Sequence, residues 1–218
     1  MTKHFQRELE KIKKKILSLG AMVEERVRMA IQAIEEFDGE IAKKIILSDH
    51  EIDEMEVEVE EECLKVMALH QPVAVDLRFL VAVIKINNDL ERIGDQAVNI
   101  AQRVNTITKK ERSDFVFDYS LMAEKAEAML RMSLDALVNL DDDLAFKVLL
   151  LDDEVDAINK EAYNLIKRAI SENPDNVSYL INLLLISRHL ERLADHATNI
   201  AEEVIYMIEG EIVRHAKH

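Results

Sequence analysis

The chain has 218 residues, 49% of them apolar, and a formal net charge of −15. That apolar content over that length supports a packed core rather than disorder. The acidic balance argues against a nucleic-acid binder and against direct adsorption to anionic lipid, and suits a soluble protein or one that attracts cations. Four Gly, two Pro and no Trp leave few helix breakers, so long helices are expected. Cys63 is the single cysteine, which excludes an intrachain disulfide and favours a cytoplasmic setting.

The N-terminal stretch MTKHFQRELEKIKKK has no apolar signal core. Phe5, Leu9, Ile12, Ile16, Leu19, Val23, Val27, Ala30, Ile34 and Phe37 recur at steps of three and four, the stripe of one long amphipathic helix. Asp38-Gly39 breaks it. A short amphipathic piece follows to about Leu47. Ser48-Asp49 reads as an N-cap, with acids crowding the next turn. A second helix is expected from there to about His70, with Ile52, Met55, Val59 and Val66 inward. Pro72 punctuates. A third helix is expected from about Val73 to Ile107, with Val83, Ile86, Leu90, Ile93, Ala97, Ile100 and Val104 as its core stripe. Its apolar start, Val73 to Ile86, carries Asp76, Arg78 and Lys85 and is too short and too charged to span a bilayer. Thr106 to Asp114 reads as a polar linker.

The second half repeats the plan. Leu121 to Leu140 is expected as a helix, Asp141-Asp142-Asp143 as a break, and Asp152 as the start of the next helix. Asn173-Pro174-Asp175 is a turn, and the last helix runs from about Asn176 to Glu209. Residues 90–101, LERIGDQAVNIA, and 190–201, LERLADHATNIA, are identical at eight of twelve positions. The acidic segment 48–53 matches 151–156 in the same order. The chain is therefore read as a tandem duplication: an all-α protein of two three-helix bundles, residues 1–108 and 109–218, with six main helices.

Each unit carries two acidic pairs at i and i+4. They are Asp49/Asp53 and Glu91/Asp95 in the first unit, and Asp152/Asp156 and Glu191/Asp195 in the second. Such residues share one helix face about 5–6 Å apart, where two carboxylates repel. Counting from the turns shows that the pairs belong together. Asp53 and Asp49 lie 18 and 22 residues before Gln71, and Glu91 and Asp95 lie 20 and 24 after it. At about 1.5 Å per residue both pairs sit roughly 30 Å from the turn of an antiparallel hairpin. Asp156 and Asp152 lie 18 and 22 residues before Pro174, with Glu191 and Asp195 17 and 21 after it. Each unit can thus converge four carboxylates, which hard cations such as magnesium, calcium, manganese or ferric iron would neutralise. The ordinary alternative is a set of solvated acids on helix faces, with Arg92 and Arg192 as surface partners.

The segment QPVAVDLRFLVAVIKINNDLERIGDQAVNIA, with its second copy HLERLADHATNIAEEV, resembles the signature region of the PhoU family of phosphate-signalling proteins, in order and over essentially the whole chain. The resemblance implies a cytoplasmic, homodimeric negative regulator of phosphate uptake. It implies an adaptor between the ATPase subunit of a phosphate ABC transporter and a sensor histidine kinase, meeting the membrane only peripherally through those partners. It also implies a multinuclear metal site in each bundle, iron first, with zinc or another divalent metal next. The eight acids above match the family's ligand motifs, and Asn99 and Asn199 match its signature as further contacts. The halves differ: Asp76-Leu77-Arg78 is replaced by Asn176-Val177-Ser178, Asp89 aligns with His189, and Gln96 with His196.

Two rival classes are distinguishable. A ferritin-like oxidase would use Glu-x-x-His, but the residues three before each histidine are Met1, Leu47, Met67, Ile186, Leu193, Ile212 and His215, none acidic. No glycine-rich phosphate loop offers nucleotide hydrolysis a site. A metal-storage protein, or a metal-free helical scaffold of co-chaperone type, would share the architecture and differ in its metal content.

Overall fold

The computed structural model describes residues 3–109 and 115–210. Among the described residues seven α-helices follow one another: α1 Lys3–Glu36, α2 Gly39–Leu47, α3 His50–His70, α4 Ala74–Ile107, α5 Ser120–Asn139, α6 Asp142–Glu172 and α7 Val177–Glu209, with a 3-10 turn at Pro174–Asn176. There is no strand among the described residues. Part of the expected linker, residues 110–114, lies outside the described residues.

The expected stripes are the buried faces. On α1, Ile12, Ile16, Leu19, Val23 and Val27 are fully or almost fully buried, and on α4 all seven expected core positions are buried. On α3, Ile52, Val59 and Val66 are buried together with Cys63, while Met55 is half-buried. Burial and the nearby Glu60 and Glu62 push the Cys63 thiol up to about 12, so it behaves as a small hydrophobe.

The repeats start their helices by the same device. Asp38 Oδ1 accepts from the backbone N–H of Glu40 (2.7 Å) and Ile41 (3.2 Å) to cap α2. Asp141 Oδ1 accepts from Leu144 N–H (2.9 Å) to cap α6. Beyond the caps the halves diverge. In the first half, Ser48 Oγ donates back to Lys44 and Ile45 carbonyls and closes α2. In the second half, Leu149-Leu150-Leu151 carries no such competitor and α6 runs through uninterrupted. Asp152 therefore lies inside a helix instead of starting one. Asp49 corrects a second expectation: it has helical backbone angles and makes no capping bond, so its carboxylate is left to the site described below.

α4 and α7, the last helices of the two halves, pack along each other at the centre, with α1 and α5 adding a second cross-half contact. Tyr119 Oη donates to the Leu183 carbonyl (2.6 Å) in the interior. Glu203 on α7 is 1% exposed and is neutralised from α4 by Lys85, whose Nζ lies 3.1 and 3.2 Å from its two oxygens. No described helix is long and apolar enough to cross a membrane.

Candidate metal centres

In the first unit, α3 and α4 bring Asp49, Asp53, Glu91 and Asp95 into mutual electrostatic range. Burial raises the Asp49 carboxyl above the ordinary range, and Asp53 on its own helix and Asp95 across the groove raise it further, against Arg26 and His50. Glu91 is raised by burial, then by Asp95, and also by Asp53 and Glu56 across the groove, while Arg92 opposes. In the second unit, α6 and α7 repeat the arrangement. Asp152 is pushed up to about 6, first by burial and then by Asp195, with Thr198 opposing through a 3.2 Å hydrogen bond. Glu191 is raised by burial, Asp195 and Asp156, and Asp195 by burial and Asp156. Two cross-helix couplings recur in both units: Asp49 with Asp95 as Asp152 with Asp195, and Asp53 with Glu91 as Asp156 with Glu191. In each unit the two acidic pairs that counting residues sets level are thus electrostatically coupled across their helix pair.

The two clusters are not equally gathered. Asp156, Glu191 and Asp195 each offer an oxygen within 4.8 Å of the others, the one such trio among the described residues. A groove of about 810 Å³ opens beside it, lined also by Lys160, Tyr163, Leu184 and Arg188. In the first unit Arg92 intervenes: its Nε lies 3.3 Å from Glu91 and its Nη1 donates to Asp95 at 3.2 Å. Glu91 Oε2 is nevertheless buried and lacks a hydrogen bond, since the Arg92 contact has ion-pair distance without hydrogen-bond alignment. An orphaned carboxylate oxygen beside three more carboxylates fits a hard cation, because oxygen ligands of negative charge are what such ions bind. The Asp156–Glu191–Asp195 trio fits by the same donor chemistry.

Asn99 is half-buried beside the first cluster. Asn199 turns its amide away from the second: Nδ2 donates to Asp89 Oδ1 on α4 at 3.0 Å. Two contributors escape the four-pair pattern. Glu56, three residues after Asp53 on the same face, is raised by burial and by Glu60 and Asp53, and its side chain accepts from Asn87 Nδ2 at 3.2 Å. Its repeat equivalent is Asn159, so the first cluster has a fifth carboxylate that the second lacks. Thr198, the donor to Asp152, replaces Val98. The spacing Asp49, Asp53, Glu56 was the available signal for the former; for Thr198 only the repeat alignment marks the difference.

The PhoU domain profile matches this chain twice, over residues 16–104 and 119–204, so each match contains one carboxylate cluster. The phosphate-specific transport system accessory protein PhoU homolog of Clostridium acetobutylicum is 36% identical over 212 residues, 97% of either chain. The Aquifex aeolicus homolog is 36% identical over 96% of this chain and 95% of its own. The crystal structure of PhoU from Pseudomonas aeruginosa superposes with a TM-score of 0.92 at 35% identity, covering 95% of this chain and all of that one. The phosphate transport system regulatory protein PhoU from Streptococcus pneumoniae gives 0.82 at 30% identity, covering 96% and 99%. Duplicated helical units, the order of their motifs and these likenesses over nearly the whole length agree: the chain belongs to the PhoU family.

Proposed function

We propose that this protein is an accessory protein of a phosphate-specific transport system, and that it acts as a negative regulator of phosphate uptake. The observation that carries the reading is the full-length likeness to accessory and regulatory proteins of that system, with the profile matching both halves. In this reading it is a cytoplasmic homodimer of two-unit chains, units 1–108 and 109–218, and it bridges the transporter's ATPase subunit and a sensor histidine kinase. Its role is to bind and position partners, not to catalyse.

The carboxylate clusters are the proposed metal centres. Asp49, Asp53, Glu91 and Asp95 would hold one, and Asp152, Asp156, Glu191 and Asp195 the other, with multinuclear iron favoured over zinc. Bound metal would supply positive charge that relieves the mutual repulsion of these acids and ties α3 to α4 and α6 to α7. Arg92 pairs directly with Glu91 and Asp95, whereas Arg188 and Arg192 moderate the second cluster without an ion-pair contact among the described residues, so the second cluster is expected to lose more when metal is removed.

The test is a pull-down with the transporter ATPase subunit and the kinase, each with and without added iron or zinc, alongside metal analysis of the purified protein. Retention of both partners supports the bridge. Retention of neither, under either condition, overturns it. Absence of metal after refolding with iron or zinc overturns the metal centres and leaves the adaptor role standing.

A further inference from the structure

At the end of the molecule where the α4 and α5 chain turns meet the N-terminal half of α1, an apolar groove of about 460 Å³ runs between four helices. Leu9 and Leu17 of α1, Phe79 of α4, Leu137 of α5 and Ile208 of α7 form its walls, and Lys13 and Glu10 stand on its edge. Two rim residues, Val75 and Leu140, are 63% and 53% exposed. Leu140 is held in the left-handed region at φ 52°, where a β-carbon costs energy and glycine is the usual occupant. Ala74, next to Val75, is also left-handed at φ 50°. At Leu140 that conformation closes α5, with the backbone N–H groups of Leu140 and Asp141 donating to the Ala136 carbonyl, and it leaves the leucine side chain at the rim of the groove.

The second observation is electrostatic. The adjoining stripe of α1, sharing Glu10 with the groove, is a shallow depression lined by Lys3, Arg7, Lys11 and Lys14. Lys11 and Lys15 are spent on Glu62 and Glu58 of α3. Lys3, Arg7, Lys13 and Lys14 have no ion-pair partner among the described residues. On a chain with a net charge of −15 this is a local reversal of sign.

We propose that this groove receives an amphipathic helix of a partner protein, one that lays apolar residues at i, i+3 or i+4 and i+7 against Leu9, Leu17, Phe79 and Val75 and flanks them with acidic residues facing the α1 cations. From Leu17 to Lys3 the surface runs about 21 Å at 1.5 Å per residue, the length of a four-turn helix. Concave apolar grooves with a charged rim are how helices are taken by their hosts. A second copy of this chain is disfavoured by symmetry: a two-fold dimer through this face would bring the cationic stripe of one copy, Lys3, Arg7, Lys13 and Lys14, up to that of the other. An anionic bilayer is disfavoured by the concave shape and by the overall negative charge. The proposal does not depend on the metal centres, and its failure would leave the transport reading intact.

The test uses the full chain and a fluorescein-labelled 18-residue helical peptide with Leu at heptad-like spacing and Glu on its flanks. The comparison peptide has Lys in place of Glu. Anisotropy should show the Glu peptide binding at least tenfold more tightly than the Lys peptide. Val75→Asp, and separately Lys13→Glu with Lys14→Glu, should weaken it at least tenfold. Leu150→Asp, an equally exposed apolar position outside the groove, should not. All these sites are on the surface, and circular dichroism confirms each variant's fold. No binding, equal binding of the two peptides, or indifference to the groove variants overturns the proposal. So does a groove variant that dissociates a dimer which the peptide cannot dissociate, or that abolishes sedimentation with phosphatidylglycerol vesicles while peptide binding is absent.

Discussion

Asp89 on α4 lies 2.9 Å from His196 Nδ1 on α7, and the repeat-related pair, Gln96 on α4 and His189 on α7, meets at the same 2.9 Å. The two contacts are exchanged by the internal duplication, which places 89 on 189 and 96 on 196. They lie either side of the centre of the α4–α7 seam, one able to carry charge and one neutral. Asp89 also accepts from Asn199, so its carboxylate serves two α7 donors.

Asp89→Ala should cost about 1–3 kcal/mol, because it strands a half-buried imidazole N–H and an amide. Gln96→Ala strands only the His189 contact and should cost about 1 kcal/mol. Urea unfolding at neutral pH reads both. A loss in Asp89→Ala no larger than that of an ordinary surface substitution, about 0.5 kcal/mol, would show the seam is held by apolar packing alone.

Helix approach beneath the first cluster makes a second prediction. A β-carbon on Gly94 would sit 3.0 Å from Ile52 Cδ1 and 3.3 Å from its Cγ2, and this closeness lets α3 and α4 bring their acids level. The second unit solves the same contact with Ala194 and Val155. Gly94→Ala gains up to about 1 kcal/mol of helix propensity and meets the isoleucine. The expected net effect is a loss of about 1 kcal/mol. Adding Ile52→Val, which copies the second unit, should recover most of it. A double variant no better than the single one would mean that the clash is relieved elsewhere.

Gly210 and Arg78 make the third. Gly210 ends α7 at φ 80°, and a β-carbon there would fall 1.8 Å from Arg78 Nη1. The Arg78 guanidinium thus lies over the α7 C-terminus, where a cation meets the negative end of the helix dipole. Gly210→Ala should cost about 1–2 kcal/mol through backbone strain and displacement of Arg78. Arg78→Ala, which empties the space, should reduce the further cost of Gly210→Ala in a double-variant cycle. Additive costs would show the two residues to be independent.

These cases mark what was legible in the sequence. Stripes such as Ile12, Ile16, Leu19 and Val23 report burial directly, because helical periodicity is local. The level carboxylates were legible too, since an antiparallel hairpin converts residue counts into heights. The unbroken α6 was not, because Asp152 in its acidic surroundings looks like Asp49 and only Ser48's backbone bonds separate the two cases. Arg92 was ambiguous for a different reason: a long cationic side chain reaches several partners, and packing chooses. The Asp89–His196 contact depends wholly on how α4 meets α7, for which no local spacing gives a sign.

The last prediction joins pH to metal. Without metal, Asp152 in the folded chain holds its proton up to about pH 6, against an ordinary value of 3.8. Between these values the unfolded chain binds fewer protons, so this group's contribution to stability is lost as pH rises from about 4 through 6. His189 acts oppositely: burial and then Arg103, Arg192 and Arg188 depress it to about 4 from 6.5, so its contribution is lost as pH falls below 6.5. The carboxylate effect is therefore read as the difference between wild type and Asp152→Asn. At pH 7 the metal-free variant should be more stable by about 1 kcal/mol after discounting for solvent exposure, a rise in Tm of about 2–4 °C. At pH 4 the two should coincide. With iron or zinc added at pH 7 the order should reverse, since bound metal favours the ionised carboxylate and Asn removes that charge. In parallel, Glu91→Ala with Asp95→Ala should remove the first unit's metal and leave the second unit's, as counted by metal analysis. Loss of both would mean that the clusters do not bind independently. Persistence of the metal-free order after metal is added would show that no added cation relieves the repulsion at Asp152.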